Sequence, residues 1–244
     1  VYHWSLDWSA IGRDLLDVLL WRHEQHLYFL HIMLLVYAAL PVTRAFVHKA
    51  EEKTRFYAFF FWCVTGVVLP LLKSLGLFFQ SGIPSQWPLT MTWSAIGCTA
   101  LGWQLRKKPL RARTSILLSL LGFVICYAGT AALSLQKGEL ASQLLEGMSP
   151  GPLLMAVGVF CLCGDLAPKL PSFLQKAAEI GGKTSFGIYL AHEFALSAFR
   201  VFGITTWFAP PLVSIPLLAA VCLVVTFAGV FVMRKIPVVC RWLI

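Results

Sequence analysis

Apolar residues run along this chain in long blocks, and the charged residues fall in short clusters between them. A helix needs roughly 20 apolar residues to cross a bilayer. Seven blocks approach that length, at 27–46, 56–76, 88–105, 114–135, 150–167, 184–205 and 211–233. The pattern predicts an all-α fold, a polytopic transmembrane helix bundle of about seven spans. The chain 1–244 reads as a single membrane domain, with 1–26 as an external loop segment. Seven spans leave no length for a separate soluble domain.

Composition agrees. Of 244 residues, 58% are hydrophobic and 13% charged, against about 25% charged in soluble domains. The Lys and Arg counts of successive connecting segments run 2, 4, 1, 5, 1, 3, 1, 3, so alternate segments total 15 and 5. Cytoplasmic loops carry the excess of Lys and Arg. The first residues are therefore expected outside and the C-terminus in the cytoplasm of a cell (inner) membrane. Topology accounts for the net charge of +9 without a nucleic-acid partner. Trp87, Trp207 and Trp242 fall near expected interfaces, as an aromatic belt does. The seven cysteines lie mostly in apolar runs, with neither zinc spacing nor a disulfide framework, so no metal or bound cofactor is expected. The chain begins at Val1 without a signal-peptide pattern and reads as an N-terminally truncated piece. A cytoplasmic start for the whole protein would put an odd number of spans upstream.

Ionisable groups at membrane depth are costly and are candidates for function. The sixth span reads GGKTSFGIYLAHEFALSAFR from Gly181. Ser185, Tyr189 and His192 are spaced i, i+4, i+7 and share a helix face. Glu193 and Ser197 border that face, and Arg200 lies seven residues beyond Glu193. A neutral His beside an acid makes a plausible acid–base pair, so His192 and Glu193 are the catalytic candidates. A polar seam between helices is the competing reading. In the first span, His26, Met33, Tyr37 and Arg44 return to one face, and Pro41 is a point for a kink or an end. His31 points elsewhere. Arg106, Lys107, Arg111 and Arg113, with Lys108, carry the topology signal and form a candidate patch for a polyanionic donor. Asp7, Asp14, Asp17 and Glu24 read as a solvated external loop. The chain contains no P-loop, dinucleotide fingerprint, G-x-S-x-G or H-E-x-x-H.

Three segments together resemble the acyltransferase 3 family. His26-Leu27-Tyr28-Phe29-Leu30, followed by Val36-Tyr37 and Pro41, is similar to its H-L-W-F-L … Y-L … P segment; many members have Trp where Tyr28 stands. Thr184-Ser185-Phe186-Gly187-Ile188-Tyr189-Leu190-Ala191-His192 is similar to its late S-[FY]-G-[IL]-Y-L-x-H segment. Arg234-Lys235-Ile236-Pro237 resembles its closing R-K-I-P stretch. The resemblance implies a membrane enzyme of about ten helices. Such enzymes transfer acetyl or other short acyl groups, commonly from acyl-coenzyme A, to hydroxyls of extracytoplasmic sugars or envelope polymers, as the bacterial surface-polysaccharide branch does. It implies that about three helices precede His26 and that they hold the family's arginine and main catalytic histidine. It also implies that His26, Tyr28, Tyr37, Ser185 and Tyr189 line the substrate site. Acyl-coenzyme A would be a donor substrate, and a sugar or glycan the acceptor.

Two other classes compete. A seven-helix receptor or retinal protein fits the span count, but the last span lacks the Lys a retinal Schiff base needs. A multi-span transporter for a small polar solute is the main alternative, although inverted repeats are not visible in the chain.

Overall fold

The computed structural model describes residues 28–77 and 82–235, with Gly12, Arg13 and Leu16. Seven long helices and no strand occur among the described residues. They are α1 (Tyr28–Lys49), α2 (Glu52–Ser74), α3 (Met91–Lys107), α4 (Ala112–Lys137), α5 (Pro150–Leu166), α6 (Ser172–Val201) and α7 (Pro211–Met233). Every expected span has its helix. His26, the acidic residues Asp7, Asp14, Asp17 and Glu24, Trp242, and the closing Ile236 and Pro237 lie outside the described residues.

The helix ends follow local chemistry. Pro150 and Pro211 open α5 and α7 at the first turn, where a missing N–H costs nothing. Gly138 ends α4 with φ of 71°, a left-handed conformation that a side chain would resist. Pro41 neither ends nor divides α1, which continues to Lys49. Membrane helices accommodate proline when neighbouring helices hold the segment, and α1 packs along α3.

By length and composition, α1, α2, α4, the Ser142–Lys169 segment containing α5, and α7 are apolar enough to cross a membrane. The other two helices differ for separate reasons. α3 has 17 residues, about 25 Å at 1.5 Å per residue. α6 has 30 residues, and Lys176, Glu179 and Lys183 occupy its first half. The chain is a multi-pass membrane protein.

The chain divides into two compact units, Tyr28–Lys169 and one that includes residues 170–235. In the first, α4 and α5 make the most extensive contact. Their facing stripes are small: Ser115, Gly122 and Cys126 on α4, and Gly151, Gly158 and Cys161 on α5, all buried. Lipid gives apolar helices no hydrophobic reason to associate, so close backbone approach between small residues takes over. α2 and α4 each contain one π turn, Val64–Val68 and Ile125–Gly129. The first frees backbone carbonyls that neighbours use. The Leu89 N–H donates to the Thr65 carbonyl at 2.8 Å, and Ser94 Oγ to the Gly66 carbonyl at 3.1 Å. Trp62 Nε1 completes the α2–α3 contact by donating to the Ser94 carbonyl at 2.9 Å. The second π turn receives the 138–149 connection. Cys126 Sγ donates to the Leu144 carbonyl at 3.6 Å, which also accepts from Ser149 Oγ at 2.7 Å.

The α1–α2 and α3–α4 connections meet through Lys108 and Glu52, 2.8 Å apart. The hydrogen bond and charge of Lys108 hold the Glu52 carboxyl below its ordinary value. Cys98, midway along α3, contacts Met148 in the α4–α5 connection at 4.0 Å. The two lysine- and arginine-rich connections therefore share one end of the unit.

In the second unit α6 packs along α7, and the Thr206–Phe208 turn joins them. Thr184, Gly187 and Phe199 are the buried positions of α6. Ser214, Cys222, Thr226 and Val230 are those of α7.

Candidate functional site

α6 carries the acid–base candidates because its sequence interrupts an apolar helix with a few polar groups. His192 is half-buried and lines a groove of about 390 Å³ between α6 and α7. Ile188 and Leu196 border it on α6; Ile215, Cys222 and Thr226 face them from α7. A second groove of about 260 Å³ continues past Leu196 to Phe199, Arg200 and Thr205.

The ring of His192 is oriented by its own helix. Its Nδ1 lies 2.6 Å from the carbonyl of Tyr189, one turn earlier. A carbonyl can only accept, so Nδ1 carries the proton. In that tautomer Nε2 is the acceptor nitrogen of the ring. The His192 carbonyl accepts from Cys222 Sγ at 3.7 Å, and Thr226 Oγ1 donates to the Cys222 carbonyl at 2.7 Å. The position of the imidazole is thereby tied to the register of α7.

Tyr189 and Ser185 lie beside this groove rather than in it. The packed stripe of α6 runs through Thr184, Gly187, Ile188, His192 and Phe199. It is rotated from the stripe the spacing suggests: Thr184 and Gly187 are buried, and Ser185 is exposed. His192 is therefore at its edge. Tyr189 is half-buried with its ring 6.0 Å from that of His192, and Phe186 stacks on Tyr189 at 6.5 Å. Ser185 is exposed and donates back to the Gly182 carbonyl at 2.8 Å.

Glu193 is half-buried and paired with Arg200. Arg200 also donates to Ser197 Oγ at 3.3 Å.

Tyr28 and Tyr37 belong to the first unit, on α1, and both are exposed. Nine positions separate them, which puts them on opposite sides of a helix. His26 lies outside the described residues. Of the donor candidates, Arg106, Arg111 and Arg113 are exposed at the end of α3 and the start of α4. Lys107 is different: its Nζ stands over the ring of Trp103, 5.1 Å from the centroid. Spacing along a single helix missed Cys222, Thr226 and Trp103, since each gains its place from a neighbouring helix. Among the described residues no group of three His, Cys, Asp or Glu side chains could hold a metal ion.

No curated protein and no solved structure matches the chain. A family model does. It is that of the acyltransferase 3 acyltransferase domain, and it matches residues 1–235. The match takes in all seven helices, including the α6 segment around His192 and the basic ends of α3 and α4, and the chain therefore belongs to the acyltransferase 3 family.

Proposed function

We propose that this membrane acyltransferase moves an acyl group, acetyl in the simplest case, from acyl-coenzyme A to a hydroxyl of an envelope sugar or polysaccharide. The observation that carries the reading is the His192 imidazole, its Nδ1 held by a carbonyl of its own helix, at the edge of a largely apolar groove. In this reading His192, rather than the upstream histidine that the family resemblance implies, serves as the base: its Nε2 takes the proton of the acceptor hydroxyl as the hydroxyl oxygen attacks the thioester carbonyl. The new C–O bond forms, the C–S bond breaks, and the leaving thiolate receives the proton from the imidazolium. A short acyl chain fits against Leu196 and Leu218 in the groove wall. Glu193 keeps Arg200 in place at the outer end of α6, and Tyr189 borders the acceptor.

Arg106, Arg111 and Arg113 suit the phosphates of the donor, with Lys107 beside them. Their end of the molecule faces the cytoplasm in this reading, and the acceptor comes from the opposite side. The protein then resides in the cell (inner) membrane, with its C-terminus cytoplasmic. The test is chemical. Envelope glycan from cells expressing the full protein is treated with mild alkali, and the released acyl groups are identified. Acetate that depends on the gene is expected. Glycan free of ester-linked acyl groups, with the protein abundant in the membrane, would contradict the proposal and favour a transporter.

A further inference from the structure

Where α1 and α3 end and α2 begins, the ring of Trp103 is the centre of a basic cluster drawn from three helices. Lys107 Nζ is 5.1 Å from the ring centroid and the Arg55 guanidinium carbon 5.9 Å. The ring of His48 meets it edge-on at 5.1 Å. Arg55 is anchored further, since its Nη1 donates to the Ala50 carbonyl and, at 3.4 Å, to that of Val47. An indole face attracts cations, so the ring holds these charges in place instead of leaving them to swing in solvent.

The cluster holds more positive charge than its carboxylates balance. Residues 44–55 and 106–113 contain nine Lys and Arg against Glu51 and Glu52. Lys108 already engages Glu52. One donor of the cluster, Arg55 Nε, is buried without a hydrogen-bond partner. Gathering like charges is costly unless an anion joins them. Cations already lie over the indole ring, so the cluster suits phosphate oxygens better than a stacked base. Trp103 is also four residues from the end of α3, about 6 Å along the axis. That is the depth at which interfacial tryptophans meet lipid headgroups.

We propose that Trp103, with Arg55, Lys107 and His48 around its ring, forms a headgroup site for an anionic phospholipid of the leaflet at that end of the protein. The lipid phosphate would bridge cations from α2 and α3 and join the two basic connections, as Lys108 and Glu52 do beside it. The site does not depend on acyl transfer, and a protein without transferase activity would still bind lipid there.

The full protein, extracted from vesicles of equal phosphatidylcholine and phosphatidylglycerol, is analysed by native mass spectrometry. Wild type should retain phosphatidylglycerol over phosphatidylcholine by about fivefold, the effect of roughly one basic side chain near an anionic surface. Arg55→Gln and Trp103→Leu should abolish the preference. Trp103→Phe keeps an aromatic ring with a weaker face, is the variant least disruptive to packing, and should reduce the preference in part. Adenosine 3′,5′-bisphosphate should leave the retained lipid in place. Unchanged preference in a folded Trp103→Phe or Arg55→Gln protein would remove the site. Displacement of lipid by the bisphosphate would assign the cluster to the donor's phosphates and overturn the proposal.

Discussion

Replacing Gly122 by alanine is expected to loosen the α4–α5 pair. A Cβ at that position would stand 2.5 Å from the Gly151 carbonyl oxygen and 2.8 Å from the Met155 amide nitrogen, both backbone atoms of α5. Ordinary contact begins at 3.4 Å, so α5 must retreat by roughly 0.9 Å. A gap of 0.5–1 Å forfeits about a quarter to a half of each dispersion contact it opens, and forced overpacking costs about 1–3 kcal/mol. Gly164→Ala supplies the control, because a Cβ there meets nothing within 4 Å. Alanine's higher helix propensity should leave that variant as stable as wild type, or up to about 1 kcal/mol more stable. Thermal unfolding of the full protein in detergent, followed by circular dichroism, should show Gly122→Ala melting several degrees below Gly164→Ala. Equal melting temperatures would refute the close-packing argument for this pair.

Three further outcomes follow from the same structure. Ser94→Val leaves the Gly66 carbonyl without its hydroxyl donor at a fully buried position, and should cost about 1–3 kcal/mol in the same unfolding assay. Glu193→Gln should leave the fold intact, since Arg200 is exposed and Glu193 only half-buried and a pair so open contributes about 1 kcal/mol, but should lower acyl transfer by freeing Arg200; transfer at the wild-type rate would show that the pair has no organising part. Cysteines placed at Lys108 and Lys137 should be labelled by an impermeant maleimide from opposite sides of sealed vesicles, and labelling from one side alone would sink the orientation.

Much of the architecture was readable because a bilayer imposes one strong rule. Each apolar block must be a helix of about 20 residues, and the Lys and Arg clusters keep the connections in phase. The pairing of the basic connections through Lys108 and Glu52 agrees with that phase. The start of α6 was not legible. Lys176, Glu179 and Lys183 suggested a loop before residue 184, yet the helix begins at Ser172, with Glu179 and Lys183 paired 2.6 Å apart along it. Charged side chains end an apolar block without ending a helix. The π turns in α2 and α4 were also hidden, since their carbonyl partners, such as Leu89 and Ser94, come from elsewhere in the chain.

The site was legible in part. His192 and Glu193 stood out because charge is rare in such a span, and the Tyr189 carbonyl that orients His192 lies one turn away on the same helix. The place of Ser185 was not, because which stripe of α6 is buried, the one through Thr184 and Gly187, is not set by spacing along the helix alone. Cys222 lies in an apolar run and is buried, but its thiol on the His192 carbonyl could not be read from either helix alone.

The central claim is that His192 takes the proton in acyl transfer. The direct measurement is the initial rate at which the full protein, reconstituted in vesicles, moves labelled acetyl from acetyl-coenzyme A to a glycan acceptor, compared with His192→Ala at equal membrane content. A positioned general base contributes about 10²–10⁴-fold, so the variant should fall by at least about a hundredfold, with wild-type melting behaviour. A His192→Ala protein that transfers acetyl at the wild-type rate would contradict the account.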